Sequence, residues 1–126
     1  MILLDTHVLL WVVTGGRQVG RRAAAAIDRA DLVLASAITY VELAVKAKHR
    51  KLLVPPDLPN LVHDQGIRPL ALTEKHVAGL SAQPLEGHDP FDRMLLAQAQ
   101  VDGLTFATAD SVLLDLGLPW VLDATQ

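Results

Sequence analysis

"ILLDTHVLLWVV", residues Ile2 to Val13, changes character at its fourth position. Before Asp5, three consecutive apolar residues suit a short strand buried on both faces. After it, an apolar stretch rich in Leu and Val is long enough for two helical turns. Asp5 or Thr6 can cap such a helix, because a short side chain bearing oxygen accepts from its first free N–H groups. A strand over Ile2–Asp5 followed by a helix over His7–Val13 is expected.

The same alternation continues along the chain. "QVGRRAAAAIDRA" (18–30) is rich in helix-favouring alanine, and "LVLAS" (32–36) is a continuous apolar run suited to a buried strand. Ser36 is a plausible cap for a helix over Ala37–Arg50. Three prolines make "LLVPPDLPNLVHDQG" (52–66) a loop and a short helix, and Pro69 pushes the strand "IRPLAL" (67–72) toward a sheet edge. Thr73 caps a helix from Glu74 to about Ala82. Asp89 and Pro90 start another, which ends near Asp102 with Gly103 as its C-terminal glycine. "LTFAT" (104–108) then reads as a strand, "SVLLDLG" (111–117) as a short helix and "WVL" (120–122) as a last strand. Strands alternating with helices imply an α/β fold, a three-layer α/β/α sandwich with a central parallel sheet. Ligands in such folds sit outside the carboxyl ends of the strands.

A chain of 126 residues fits a single domain over residues 1–126, with a core built mainly of Leu, Val, Ile and Ala. The absence of cysteine excludes disulfides, thiolate metal sites and cysteine nucleophiles. The longest apolar run near the N-terminus, Val8 to Val13, falls far short of the roughly 20 residues that span a bilayer. A soluble, cytoplasmic protein without a membrane partner is expected.

Four acids fall at the same rim of the expected sheet. Asp5 ends the first strand, and Asp110 lies two residues past Thr108 at the end of "LTFAT". Glu42 is in the second turn of the helix after "LVLAS", and Asp92 in the first turn of the helix after "EGHDP". Singly, each has an ordinary role. Asp5 and Asp110 can be helix caps, Glu42 can pair with Lys46 one turn later, and Asp92 is well placed against the helix dipole. Together they require four coincidences at one rim. Gathered carboxylates hold a hard cation, and oxygen ligands without cysteine favour Mg2+ or Mn2+. Such a cation can activate water and stabilise charge on a phosphodiester oxygen, a route to hydrolysis without a covalent intermediate.

The net charge of −3 argues mildly against a nucleic-acid partner. Setting the four acids aside leaves ten acidic groups against eleven basic ones, which removes that objection. "KAKHRK" (46–51), with Lys46 at its head, and the arginines Arg17, Arg21, Arg22 and Arg93 are candidates for phosphate contact. A solvated, cationic helix end is an equally good account of "KAKHRK". The five histidines show no close metal-ligand spacing. His88 alone is expected near the rim, and it is left out of the site.

"LLDTHVLLW" (3–11), "SAITYVELAVK" (36–46), "HDPFDRMLLAQA" (88–99) and "FATAD" (106–110) resemble, in order and spacing, the conserved blocks of PIN-domain ribonucleases, and especially the VapC-type toxins of bacterial type II toxin–antitoxin pairs. The resemblance covers nearly the whole chain. It implies a PIN-like fold and an acidic pocket for Mg2+ or Mn2+, with Asp5, Glu42, Asp92 and Asp110 as ligands and catalytic acids. It gives Thr6 and Thr108 supporting roles, Asp89 no ligand position, and Asp115 an outer contact. It further implies endoribonuclease activity on an RNA substrate, a cognate antitoxin and a homodimer. Tyr40 and "HRKLL" (49–53) depart from a Trp and a Gly-Lys-Leu step common among members with this first block.

Three other readings compete. A receiver-like phospho-acceptor domain needs an acidic pair after its first strand and a Lys after its last, and "WVLDATQ" (120–126) has no Lys. An aspartate-nucleophile phosphatase would show Asp-x-Asp where this chain has Asp5-Thr6-His7. A metal-free interaction module, with every acid a cap, remains open.

Overall fold

The computed structural model describes residues 1–48 and 54–126. Its elements alternate as expected. Strand β1 (Ile2–Leu4) leads to α1 (Thr6–Val13) and α2 (Arg21–Arg29), then β2 (Val33–Ser36) and α3 (Ala37–Ala47). They are followed by α4 (Leu58–Asp64), β3 (Arg68–Leu70), α5 (Glu74–Ala78), α6 (Pro90–Asp102), β4 (Thr105–Thr108), α7 (Ser111–Leu114) and β5 (Val121–Asp123). The five strands form one parallel sheet in the order β3-β2-β1-β4-β5. Pro69 sits in β3 at the sheet edge, where its missing N–H removes no ladder bond from a second neighbour.

Side chains on a strand alternate between faces, and the core divides accordingly. Leu3, paired with Leu34 and Phe106, packs in one cluster with Leu95, Leu96 and Ala99 of α6. Leu4, paired with Ala35 and Ala107, packs in the other with Val8 and Leu9 of α1 and Leu43 of α3. Both faces of β1 are therefore covered, and each fully buried leucine contributes about 2 kcal/mol.

Connections run from β1 outward through β2 to β3, then return to β4 on the other side of β1. The order thus reverses between β1 and β4, the position where open parallel sheets form a crevice at their carboxyl ends. The Asp5 N–H donates to the Ala107 carbonyl (2.9 Å), so the crevice opens directly above the paired strand ends.

Differences from expectation are local. The helix expected through Ala82 is α-helical only to Ala78 and continues as a 3-10 turn over Gly79–Ala82. The tightening occurs where α5 presses on α6, and a Cβ on Gly79 would lie 2.8 Å from the Val101 Cγ2. The last strand is Val121–Asp123, one residue later than expected, and α7 stops at Leu114. Helix α3 ends at Ala47 with Lys48 as its C-cap, and the last two positions of its expected span, with the second half of "KAKHRK" and all of "HRKLL", lie outside the described residues. Tyr40, the other departure from the family pattern, packs against the core cluster beside Leu43. No helix among the described residues is long and apolar enough to cross a membrane.

Candidate active site

Each acid reaches the crevice through a local rule of chain geometry. Asp5 leaves β1 in extended conformation and caps α1, accepting from the Thr6 N–H at 2.7 Å. Its other oxygen accepts from the Thr108 hydroxyl at 2.6 Å. The same hydroxyl oxygen accepts from the Asp110 N–H (3.1 Å), which ties the carboxyl ends of β1 and β4 together. Asp110 caps α7 through the Val112 N–H (2.8 Å). Ser36 caps α3, and a turn and a half later Glu42 points into the crevice, buried, with one oxygen accepting from the Thr6 hydroxyl at 2.6 Å.

Asp89 caps α6 through the Phe91 N–H (2.9 Å), with Pro90 at the first helical position. That places Asp92 in the first turn, facing inward. These four expected acids, Asp5, Glu42, Asp92 and Asp110, line one cleft of about 370 Å3 with Thr6, His7, Trp11, Lys46, Asp89 and Ala109.

Helix-start grammar accounts for Asp5, Asp89 and Asp110, whose oxygens accept backbone N–H groups, and Glu42 has its hydroxyl and ammonium partners. It does not account for Asp92. This residue is only 8% exposed, yet its carboxylate accepts no hydrogen bond among the described residues, and the His88 Nε2 stands 3.6 Å from it. Burial, followed by the charges of Asp5, Asp89, Glu42 and Asp110, pushes its pKa up to about 7. Burial also raises the pKa of Asp5, against the opposing hydrogen bonds from Thr108 and Thr6.

Lys46 is the one basic side chain among the described residues that reaches these carboxylates with a fixed charge. Its ammonium lies 2.5 Å from Glu42, 3.1 Å from Asp89 and 5.8 Å from the centre of the Phe91 ring. Burial opposes its charge, but Glu42 and Asp89 outweigh that and raise its pKa. For Asp89 partial burial is likewise outweighed, by Lys46 and the Phe91 N–H, and its pKa falls. The ion pair expected on the helix surface is therefore part of the cleft.

Arg93, expected as a phosphate contact, does not line the cleft. Its guanidinium donates to the carbonyls of Pro84, Leu80 and Gln83 (3.2, 3.1 and 3.3 Å), clamping the loop before α6. Arg17, Arg21 and Arg22 are exposed and line no part of the cleft, and Asp115 is exposed beyond α7. His7 and Trp11, one turn apart on α1, reach the cleft although neither was expected there.

The carboxylates also fall into two groups able to share a cation. In one, single ligand atoms of Glu42, Asp89 and Asp92 lie within 4.8 Å of one another. In the other, those of His88, Asp92 and Asp110 do. Five carboxylates around one ammonium, with Asp92 lacking a hydrogen-bond donor, suit a divalent cation.

Residues 2–117 match the PIN domain family. The chain belongs to the PIN-domain family. It is 31% identical over 112 residues to "Ribonuclease VapC22" of Mycobacterium tuberculosis, a match covering 86% of each chain. Among solved structures, it resembles a toxin–antitoxin complex from Klebsiella pneumoniae (22% identity, 98% of both chains, TM-score 0.67). It also resembles FitAcB from Neisseria gonorrhoeae (27% identity, 98% of both chains, TM-score 0.62). The five-stranded parallel sheet with its flanking helices is the α/β arrangement of this PIN-like fold.

Proposed function

We propose that this chain is a metal-dependent endoribonuclease and the toxin of a toxin–antitoxin pair. It would act in the cytoplasm as a homodimer on an RNA substrate, held in check by a cognate antitoxin. Asp92 carries the assignment, as a buried carboxylate without a hydrogen-bond donor among four other acids. The PIN-domain match and the ribonuclease relative supply the reaction class. The toxin role, the antitoxin and the dimer rest on the likeness of the four sequence blocks to VapC-type toxins.

Asp5, Glu42, Asp92 and Asp110 would hold Mg2+ or Mn2+, which when bound lowers the pKa of a water and offsets charge developing on a phosphodiester oxygen. Thr108 and Thr6 orient Asp5 by fixing one oxygen each, leaving a lone pair on both. Thr6 also donates its hydroxyl to Glu42, so one residue sets the relation between the acids of β1 and α3. Lys46 engages Glu42 and Asp89 and keeps one of its three donors for a backbone phosphate. Trp11 lines the same cleft and is an aromatic side chain on which a base of the substrate would stack.

Cleavage of single-stranded RNA by the purified chain in the presence of Mn2+ tests this. Wild type is expected to cleave, whereas Asp5→Asn and Asp92→Asn retain the fold and lose cleavage. Undiminished cleavage by both variants would overturn the carboxylate mechanism.

A further inference from the structure

The two cation-sized groups in the cleft share Asp92 and differ in everything else. Around Glu42 and Asp89 a cation is already built into the chain, since the Lys46 ammonium bridges both carboxylates (2.5 and 3.1 Å). On the other side of Asp92 no fixed cation faces His88 and Asp110 among the described residues. The Asp92 side chain, only 11% exposed and without a hydrogen-bond donor among the described residues, lines the cleft there. His88 stands one helical turn before Asp92, its Nε2 3.6 Å from the nearer carboxylate oxygen. Donor atoms about 2.1 Å from a shared ion lie roughly 3–4 Å apart, so this spacing suits two neighbouring ligands.

Resting on the metal-dependent function proposed above, we propose that His88 is a nitrogen ligand of the catalytic cation beside Asp92 and Asp110, while Lys46 fills the neighbouring cation position, so that of the four acids named above Glu42 acts on the metal through its charge and not as a direct ligand. An imidazole ligand biases a site of carboxylates and water away from Mg2+ and toward the later first-row metals, with Mn2+ ahead of Mg2+. His88 is thereby a determinant of metal choice. Its position follows from the helix start: the cap at Asp89 turns the chain so that the residue before it faces the first turn of α6.

The test uses the full chain freed of metal by chelation, with Mn2+ and Mg2+ as probes. Calorimetry is expected to find one Mn2+ per chain, and pulsed electron paramagnetic resonance a nitrogen coupling on the bound Mn2+. In His88→Gln the coupling disappears, Mn2+ affinity falls roughly 10–100-fold and Mg2+ affinity falls less than about 3-fold. In His7→Gln, at the histidine that lines the cleft, coupling and affinity are unchanged. Coupling retained in His88→Gln, or lost in His7→Gln, overturns the assignment of His88 and leaves the metal-dependent function standing. Two Mn2+ per chain overturns the role given to Lys46. Absence of Mn2+ binding by the wild type overturns the metal-dependent function itself.

Discussion

Replacing Asp92 by Asn removes a charge while keeping the shape of the side chain, so it isolates the cost of holding that carboxylate ionised. Burial and four neighbouring acids move its pKa from 3.8 to about 7. At about 1.4 kcal/mol per pH unit, this displacement caps the penalty in the metal-free protein at about 4 kcal/mol. Water entering the cleft and local relaxation reduce that to about 1–3 kcal/mol, and loss of a favourable charge at the start of α6 takes back about 0.5 kcal/mol. Between pH 3.8 and about 7 the folded chain retains a proton that the unfolded chain has released, so wild-type stability falls across this window as pH rises. Above about pH 7.5 the penalty is complete, and near pH 4 it vanishes. Thermal unfolding followed by circular dichroism in chelator at low salt should therefore show Asp92→Asn melting about 2–10 °C above wild type at about pH 8. The difference should close as pH approaches about 4. Saturating Mn2+ should raise the wild type and leave the variant behind, reversing the order. A variant that melts below wild type in chelator at pH 8, or by the same margin at every pH, would refute the idea that Asp92 is an uncompensated charge.

Three further outcomes follow from named contacts. Thr108→Val keeps the volume but removes the donor to Asp5 and the acceptor of the Asp110 N–H; it should cost about 1–3 kcal/mol in denaturant unfolding and weaken Mn2+ binding roughly 10-fold in calorimetry. Lys46→Met leaves Glu42 buried without its cation, so the metal-free protein should lose about 1–2 kcal/mol in denaturant unfolding and recover part of it on adding Mn2+. His76 accepts from the Thr73 N–H at Nδ1 and therefore carries its proton on Nε2, which donates to Asp102. His76→Ala should thus cost about 2–4 kcal/mol by unfolding α5 from α6, while RNA cleavage well below the melting point is retained.

The alternation of strands and helices and the edge position of β3 were legible because period, proline and glycine act locally. Asp5, Glu42, Asp92 and Asp110 could be placed at one rim because each stands at a fixed offset from a strand end or a helix start. What escaped depends on contacts distant in sequence. Lys46 reads as the surface partner of Glu42, and its bond to Asp89 crosses 43 positions. Arg93 reads as a free cation, and only the return of the 80–84 segment over α6 supplies the carbonyls it binds. His7 and Trp11 were within reach, since a helix starting at Thr6 above the crevice puts its first and fifth following positions on one stripe. Asp92 shows the limit of local grammar. Its position obeys helix-start rules, yet its carboxylate is left without a donor by the packing around it.

The central place of β1 bears on the order in which this protein comes into being. Ile2 pairs with Thr105, which is made long after it. Closing that pair spans a long stretch of sequence, a loop whose entropy is overcome only when β4 is available to dock. Until then Asp5 has no Thr108 to orient it, and Asp110 has not yet been placed beside Asp92. A nascent or truncated chain can form β1, β2 and their helices without presenting the acidic cleft. Assembly of the site thus coincides with completion of the sheet, and synthesis delivers the reactive surface in one late step.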